Sequence, residues 1–167
     1  MKKAVLISIA LISTLCSKAQ MQVTFPFQGG EPVMVAFFKD SVMVSPEIIS
    51  KRATGTVIIK FSADEKGVVK QLMIYYADDY ILTLPIIAAL KKSNHKWIIP
   101  DHDKTHDFVL PFLIKFNLPA VPGKTLPKRM FDFYNQRKPI TAGNQIPLDN
   151  VTLLPTIIIN YNIPVTK

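Results

Sequence analysis

Thiol chemistry is all but missing from this sequence, whose only cysteine is Cys16. Cys16 lies in a segment expected to be removed, so the working chain has no disulfide framework, thiolate metal site or cysteine nucleophile. No apolar run reaches the roughly 20 residues that span about 30 Å of hydrocarbon. No nucleophile elbow, phosphate loop or His-Glu-x-x-His pattern occurs. Basic residues are spread along the chain, without the concentrated stripe of a nucleic-acid binder. These absences point away from catalysis, nucleic acid and integral membrane insertion, and toward stability from an ordinary apolar core.

What is present begins with an export signal. Lys2 and Lys3 precede the apolar run Ala4–Cys16, and Ser17-Lys18-Ala19 puts small residues at the two positions a signal peptidase reads. Leu15 is too bulky for a lipoprotein signal. Residues 1–19 therefore read as a cleavable signal peptide, with Gln20 as the mature N-terminus and the periplasm as destination. Removing nineteen of 167 residues leaves 148, a length for one domain, and lowers the net charge from +8 to +5 as Lys2, Lys3 and Lys18 depart.

Along residues 20–167, Pro26, Gly29, Gly30 and Pro32 break the first segment, and Val33 to Val44 reads as a helix. Ser45-Pro46-Glu47 is a helix start, with a capping serine, proline at the first helical position and an acid at the positive end. Thr56 to Phe61 and Val68 to Tyr76 flank the polar turn Ala63–Gly67 and predict an antiparallel hairpin. Thr83 reads as the cap of a helix through about Ser93, with Asp78 and Asp79 as start signals before it and Leu84, Ile87, Ala88 and Leu90 as its apolar stripe. Phe108, Leu110, Phe112, Ile114 and Phe116 alternate along a strand from Phe108 to Leu118. Beyond Pro119, Pro122 and Pro127, a short helix is expected over Leu126–Arg137, then a loop over Ile140–Asn150. The predicted fold is α+β: a hairpin plus a third strand in an antiparallel sheet, with two helices on one face.

The ordered set Phe27-Gln28-Gly29-Gly30, Ser45-Pro46, Gly55-Thr56-Val57, Phe61 with Gly67-Val68-Val69, Ala88-Ala89-Leu90, Lys96-Trp97 with Pro100, and Leu110–Phe116 resembles the C-terminal domain of TonB. The similarity covers about Phe27 to Leu118. Two departures are the extra residue between Trp97 and Pro100 and a serine, Ser45, where an aromatic usually precedes the proline. The resemblance implies a domain over residues 20–118 without the family's membrane helix and proline-rich spacer, followed by a proline-rich extension over 119–167. It further implies a non-enzymatic protein-interaction module needing no cofactor. Its partner would be an outer-membrane TonB-dependent transporter, whose extended peptide adds to the sheet edge at Phe108, Leu110, Phe112, Ile114 and Phe116. Gly55, Gly67, Trp97 and Pro100 are expected to be structural, Trp97 plugging the gap between helix and sheet.

Two alternatives stand beside this reading. One is an envelope scaffold that self-associates through the same sheet edge. The other is a metal or small-ligand carrier built on His95, His102 and His106. Because the last two histidines fall where a helix-to-strand loop belongs, their spacing guarantees no convergence, and a solvated loop without metal is the expectation.

The extension holds a further signal. Leu110–Pro119 is echoed by Leu154–Pro164 with one residue inserted, and Leu153, Ile157, Ile159, Tyr161 and Ile163 fall on one face of a strand over about 153–163. A lone apolar strand is an aggregation hazard, so this one is expected to dock in the same molecule, beside Phe108–Leu118 or on a second small sheet. Pro111 and Pro155 are expected at strand starts or outer sides. Beside Phe108–Leu118, the tail would compete with an incoming peptide, and truncation after Val121 is expected to leave a folded core with a freed edge.

Overall fold

The structure, a computed structural model, describes residues 25–118, 125–143 and 150–163. The signal segment and the Gln20 cleavage point lie outside these residues. So does the tip of the predicted loop at 144–149.

Helix α1, Gly30–Ser41, places Met34 and Phe38 in the core. It starts earlier than hydrophobic periodicity suggests because Gly29 takes φ 86°, the left-handed region in which the chain can turn into the helix. Helix α2, Pro46–Lys51, begins as read: the Ser45 hydroxyl accepts from the Ile48 N–H at 3.3 Å. Strands β1, Gly55–Asp64, and β2, Val69–Ala77, form the antiparallel hairpin. At its turn Asp64 Oδ1 accepts from the N–H groups of Val68 and Lys66, and Oδ2 meets Lys70 Nζ at 3.0 Å. The Val68 bond is the foremost cause holding the Asp64 carboxyl below its ordinary range.

A 3-10 turn at Tyr80–Leu82 leads into α3, Thr83–Lys92, and corrects both its predicted face and its predicted cap, since Leu82 stands at the N-cap and Thr83 is already helical. The buried residues are Thr83, Pro85, Ile86, Ala89 and Leu90, whereas Leu84 is 56% exposed and Ala88 faces solvent. The turn sets this rotation, because Asp79 caps it by accepting from Ile81 N–H at 2.9 Å and Thr83 donates back to the Tyr80 carbonyl at 2.6 Å. Asp79 also accepts from Lys138 N–H at 2.8 Å, while Asp78 joins Thr56 N–H, Tyr76 and Arg137.

Strand β3, Thr105–Asn117, pairs antiparallel with β1 from Gly55↔Ile114 to Asp64↔Thr105. Helix α4, Leu126–Gln136, follows, then three short strands: β4, Ile140–Thr141, β5, Val151–Leu153, and β6, Ile157–Asn162. The segment read as loop thus contains β4, which pairs with Tyr76 and Ala77 of β2. The sheet runs β4-β2-β1-β3-β5, with β6 also on β3. It is a mixed sheet of six strands rather than three antiparallel ones, since β5 and β6 run parallel to β3.

The fold is α+β, with one apolar core. Val57, Ile59 and Phe61 of β1 meet Phe108, Leu110, Phe112 and Ile114 of β3, together with Phe38, Ile48, Ile86 and Leu90 from α1, α2 and α3. Trp97 fills the centre, its ring centroid 4.6 Å from Phe61, 5.1 Å from Phe27 and 5.3 Å from Phe108. Its indole N–H donates to the buried Ser93 hydroxyl at 2.8 Å. Gly67 has φ 70°, and a Cβ there would sit 2.6 Å from the Trp97 carbonyl oxygen. A Cβ on Gly55 would press on the Asp78 side chain at 2.6 Å. Pro100 is exposed, and its carbonyl accepts from Asp103 N–H at 3.2 Å.

Candidate functional site: the outer edge of the third strand

The five residues expected at a partner-accepting edge lie on β3, and their side chains point into the molecule. Phe108, Leu110, Phe112 and Ile114 are fully buried and Phe116 is half-buried. What such an edge offers a partner is its backbone. One side of that backbone pairs with β1, and the other carries β5 and β6. The tail docks beside β3.

The register explains the internal echo. Asp107, Phe108 and Val109 pair with Val151, Thr152 and Leu153, an offset of 44 residues. Phe112 to Asn117 pair with Ile157 to Asn162, an offset of 45. The inserted residue is absorbed between the two short strands, at Leu154-Pro155-Thr156, so matching residues of the two copies stand side by side. Asn117 donates through Nδ2 to Asn162 Oδ1 at 2.7 Å, and the Phe116 and Tyr161 rings lie 6.0 Å apart.

The prolines fit this break in a way the sequence reading did not foresee. Pro111 lies inside β3, not at its start, and pairs with Ile58 of β1. The Val109 carbonyl faces the tail and accepts from Leu154 N–H at 2.9 Å. Backbone groups alternate sides along a strand, so the Pro111 nitrogen also faces the tail, where pairing is interrupted. The missing amide hydrogen costs no ladder bond. At Pro155 the face also changes: Leu153 is exposed and Leu154 buried, opposite to the single-strand pattern.

Tail docking is anchored in the core. Ile157, Ile159 and Tyr161 are buried, and the Tyr161 hydroxyl donates to the Ala53 carbonyl at 2.8 Å with the Ile48 carbonyl at 3.4 Å. Burial holds the Tyr161 phenol well above its ordinary pKa. A raised pKa means the folded state keeps a proton that the unfolded state releases. The resulting stability is complete below about pH 10 and falls as pH rises beyond it. Tyr161→Phe is expected to cost about 1–2 kcal/mol near neutrality, by leaving the Ala53 carbonyl short of a donor. The same substitution should flatten the alkaline decline. Urea titrations from neutral pH to above pH 10 measure both effects.

The histidine segment is not a solvated loop throughout. His106 lies on β3, buried, with Nδ1 at 3.2 Å from Asp103 Oδ2 and Nε2 at 2.8 Å from Thr152 Oγ1. A carboxylate only accepts, so in the neutral ring Nδ1 carries the hydrogen and Thr152 donates to Nε2. His95 Nδ1 lies 3.2 Å from the Lys66 carbonyl, and His102 lines a cleft of about 530 Å³ with Glu65 and Lys104. The three rings do not converge, and among the described residues no group of three or more His, Cys, Asp or Glu is placed to hold a metal. His106→Ala is expected to cost about 1–3 kcal/mol by leaving Thr152 on β5 without its partner. His102→Ala should be nearly silent. Thermal melts with and without zinc, copper or nickel separate this loss from metal binding, since a bound metal raises the melting temperature by mass action.

The alternation of Phe108, Leu110 and Phe112 extends back to His106, and that signal could have placed it on the buried face. No equivalent signal marks Thr152. The chain has no significant match among protein-family models, curated proteins or solved structures.

Proposed function

We propose that this protein is an exported, non-enzymatic interaction module that takes an extended segment of a protein partner along the outer edge of β3. The observation carrying this reading is that the edge already holds an extended segment in parallel register, and that segment is the chain's own tail. Backbone pairing supplies affinity for such a guest, and the pockets filled by Ile157, Ile159 and Tyr161 supply selectivity. The resemblance of Phe27–Leu118 to the TonB C-terminal domain favours an outer-membrane TonB-dependent transporter as the partner, met in the periplasm.

The second reading, an envelope scaffold, is favoured by a different edge. The outer side of β2 is paired only at Tyr76 and Ala77, so among the described residues Val69 to Ile74 face no strand on that side. Lys70 and Gln71 are exposed along it, the polar guarding that discourages uncontrolled pairing. Cross-linked pull-down from outer-membrane extracts separates the readings. Recovered transporters support peptide capture, whereas recovery of this chain alone supports self-assembly. Export is checked by intact mass of the envelope fraction, which should begin at Gln20. A chain that keeps residues 1–19 in the inner membrane contradicts the periplasmic assignment.

A further inference from the structure

A cleft of about 620 Å³ lies between α4 and the end of α2. Thr125, Lys128, Arg129, Asp132, Phe133 and Gln136 line it at the three- and four-residue spacing of one helix face. Ser50 and Lys51 line it from α2, and Asp79 and Lys138 complete the lining. Arg129 Nη1 donates to the Ser50 carbonyl at 3.2 Å and so ties the two walls together. Charge in this cleft is unevenly committed. Both carboxylate oxygens of Asp79 accept from backbone, Oδ1 from Ile81 N–H and Oδ2 from Lys138 N–H, and Lys51 is paired with Glu47 at 2.6 Å. Among the described residues the ammonium groups of Lys128 and Lys138 form no ion pair. The first turn of α4 holds no acid, and the Thr125 side chain makes no cap bond. Lys128 and Arg129 instead stand near the positive end of the helix, where cations cost stability and an anion offsets that cost.

From these observations we infer that the cleft binds a small organic oxyanion, a phosphate or carboxylate carried on an apolar body. Lys128, Lys138 and the remaining guanidinium N–H groups of Arg129 hold the oxyanion, while the buried Phe133 ring packs against the body. The volume falls within the roughly 300–1,000 Å³ of small-molecule sites and is more than a bare ion fills. A phosphate monoester, with up to two charges and three acceptor oxygens, is held more tightly than a carboxylate. No lining residue belongs to β3, so the inference stands apart from the peptide-capture reading.

The test is titration calorimetry of the full chain with phenyl phosphate, benzoate, inorganic phosphate and benzylamine. Phenyl phosphate is expected to bind most tightly, benzoate and inorganic phosphate more weakly, and benzylamine not at all, with binding that weakens as salt rises. The variant Lys128→Gln/Lys138→Gln should lose about tenfold or more in affinity for phenyl phosphate. Lys91→Gln/Lys92→Gln, which removes the same charge from the end of α3, should lose none. All four lysines are exposed, so both variants should melt like the original. As a second readout on the unaltered chain, phenyl phosphate should shift the amide resonances of Thr125, Lys128 and Arg129 more than those elsewhere. Binding of neither phenyl phosphate nor benzoate overturns the inference, as does benzylamine or inorganic phosphate binding as tightly as phenyl phosphate. Equal affinities of the two variants also overturn it. So do resonance shifts that leave Thr125, Lys128 and Arg129 unmoved, which would place the anion on another basic surface.

Discussion

Truncation after Val121 is expected to abolish cooperative folding. The tail contributes Leu154, Ile157, Ile159 and Tyr161 to the core, all buried. Burial of a large apolar side chain stabilises by about 1.5–3 kcal/mol, so these four account for roughly 6–12 kcal/mol. The whole stability of a domain this size is about 5–15 kcal/mol. Truncation also removes the Tyr161 bond to the Ala53 carbonyl, the Thr152 bond to His106 and the parallel ladder on β3. The sequence alone suggested a folded remainder with a freed edge. The burial of β6 replaces that with a chain that loses its urea transition and binds an exposed-surface dye. A truncated chain that keeps a sharp transition would show that the tail is an accessory strand after all.

Trp97→Ala is the largest expected effect of any single substitution, at about 3–5 kcal/mol. The indole touches Phe27, Phe38, Phe61 and Phe108, so its loss empties the place where α1, the hairpin and β3 meet. It also leaves the Ser93 hydroxyl, fully buried, without its donor. Trp97→Phe should retain most of the packing and lose mainly that bond, at about 1–2 kcal/mol. Equilibrium urea unfolding of the two variants gives the comparison. Equal losses would mean that the hydrogen bond, not the ring volume, is what Trp97 supplies.

How far the sequence spoke can be followed residue by residue. Local chemistry was legible: the Ser45 cap, the hairpin around Gly67, the alternation of β3 and the burial of Trp97 each rest on neighbours a few positions away. The face of α3 was misread because Asp79 caps a 3-10 turn first, and that extra turn brings Pro85, Ile86 and Ala89 inward instead of Leu84 and Ala88. The parallel pairing of β3 with β5 and β6 joins residues 44 and 45 positions apart, beyond any local pattern. Only the echo of Leu110–Pro119 in Leu154–Pro164 hinted at it. The echo named the partner segments but not their direction, which follows from the return of the chain through α4 and β4. The candidate edge was legible as a strand, while its occupant was not fixed by sequence.

Under the proposed function, a partner segment and the tail compete for one edge. Asn117 and Asn162 offer a direct lock, because both are exposed, face each other across the parallel ladder and lie on the two competing strands. In the variant Asn117→Cys/Asn162→Cys the expected mature chain has no other thiol. A short bifunctional maleimide then ties β6 to β3 without emptying the core. The measurement is recovery of outer-membrane transporters by the bridged and unbridged forms of this one variant. Recovery by the unbridged form and its loss on bridging is the predicted result. Equal recovery by both forms, or recovery by neither, contradicts that competition.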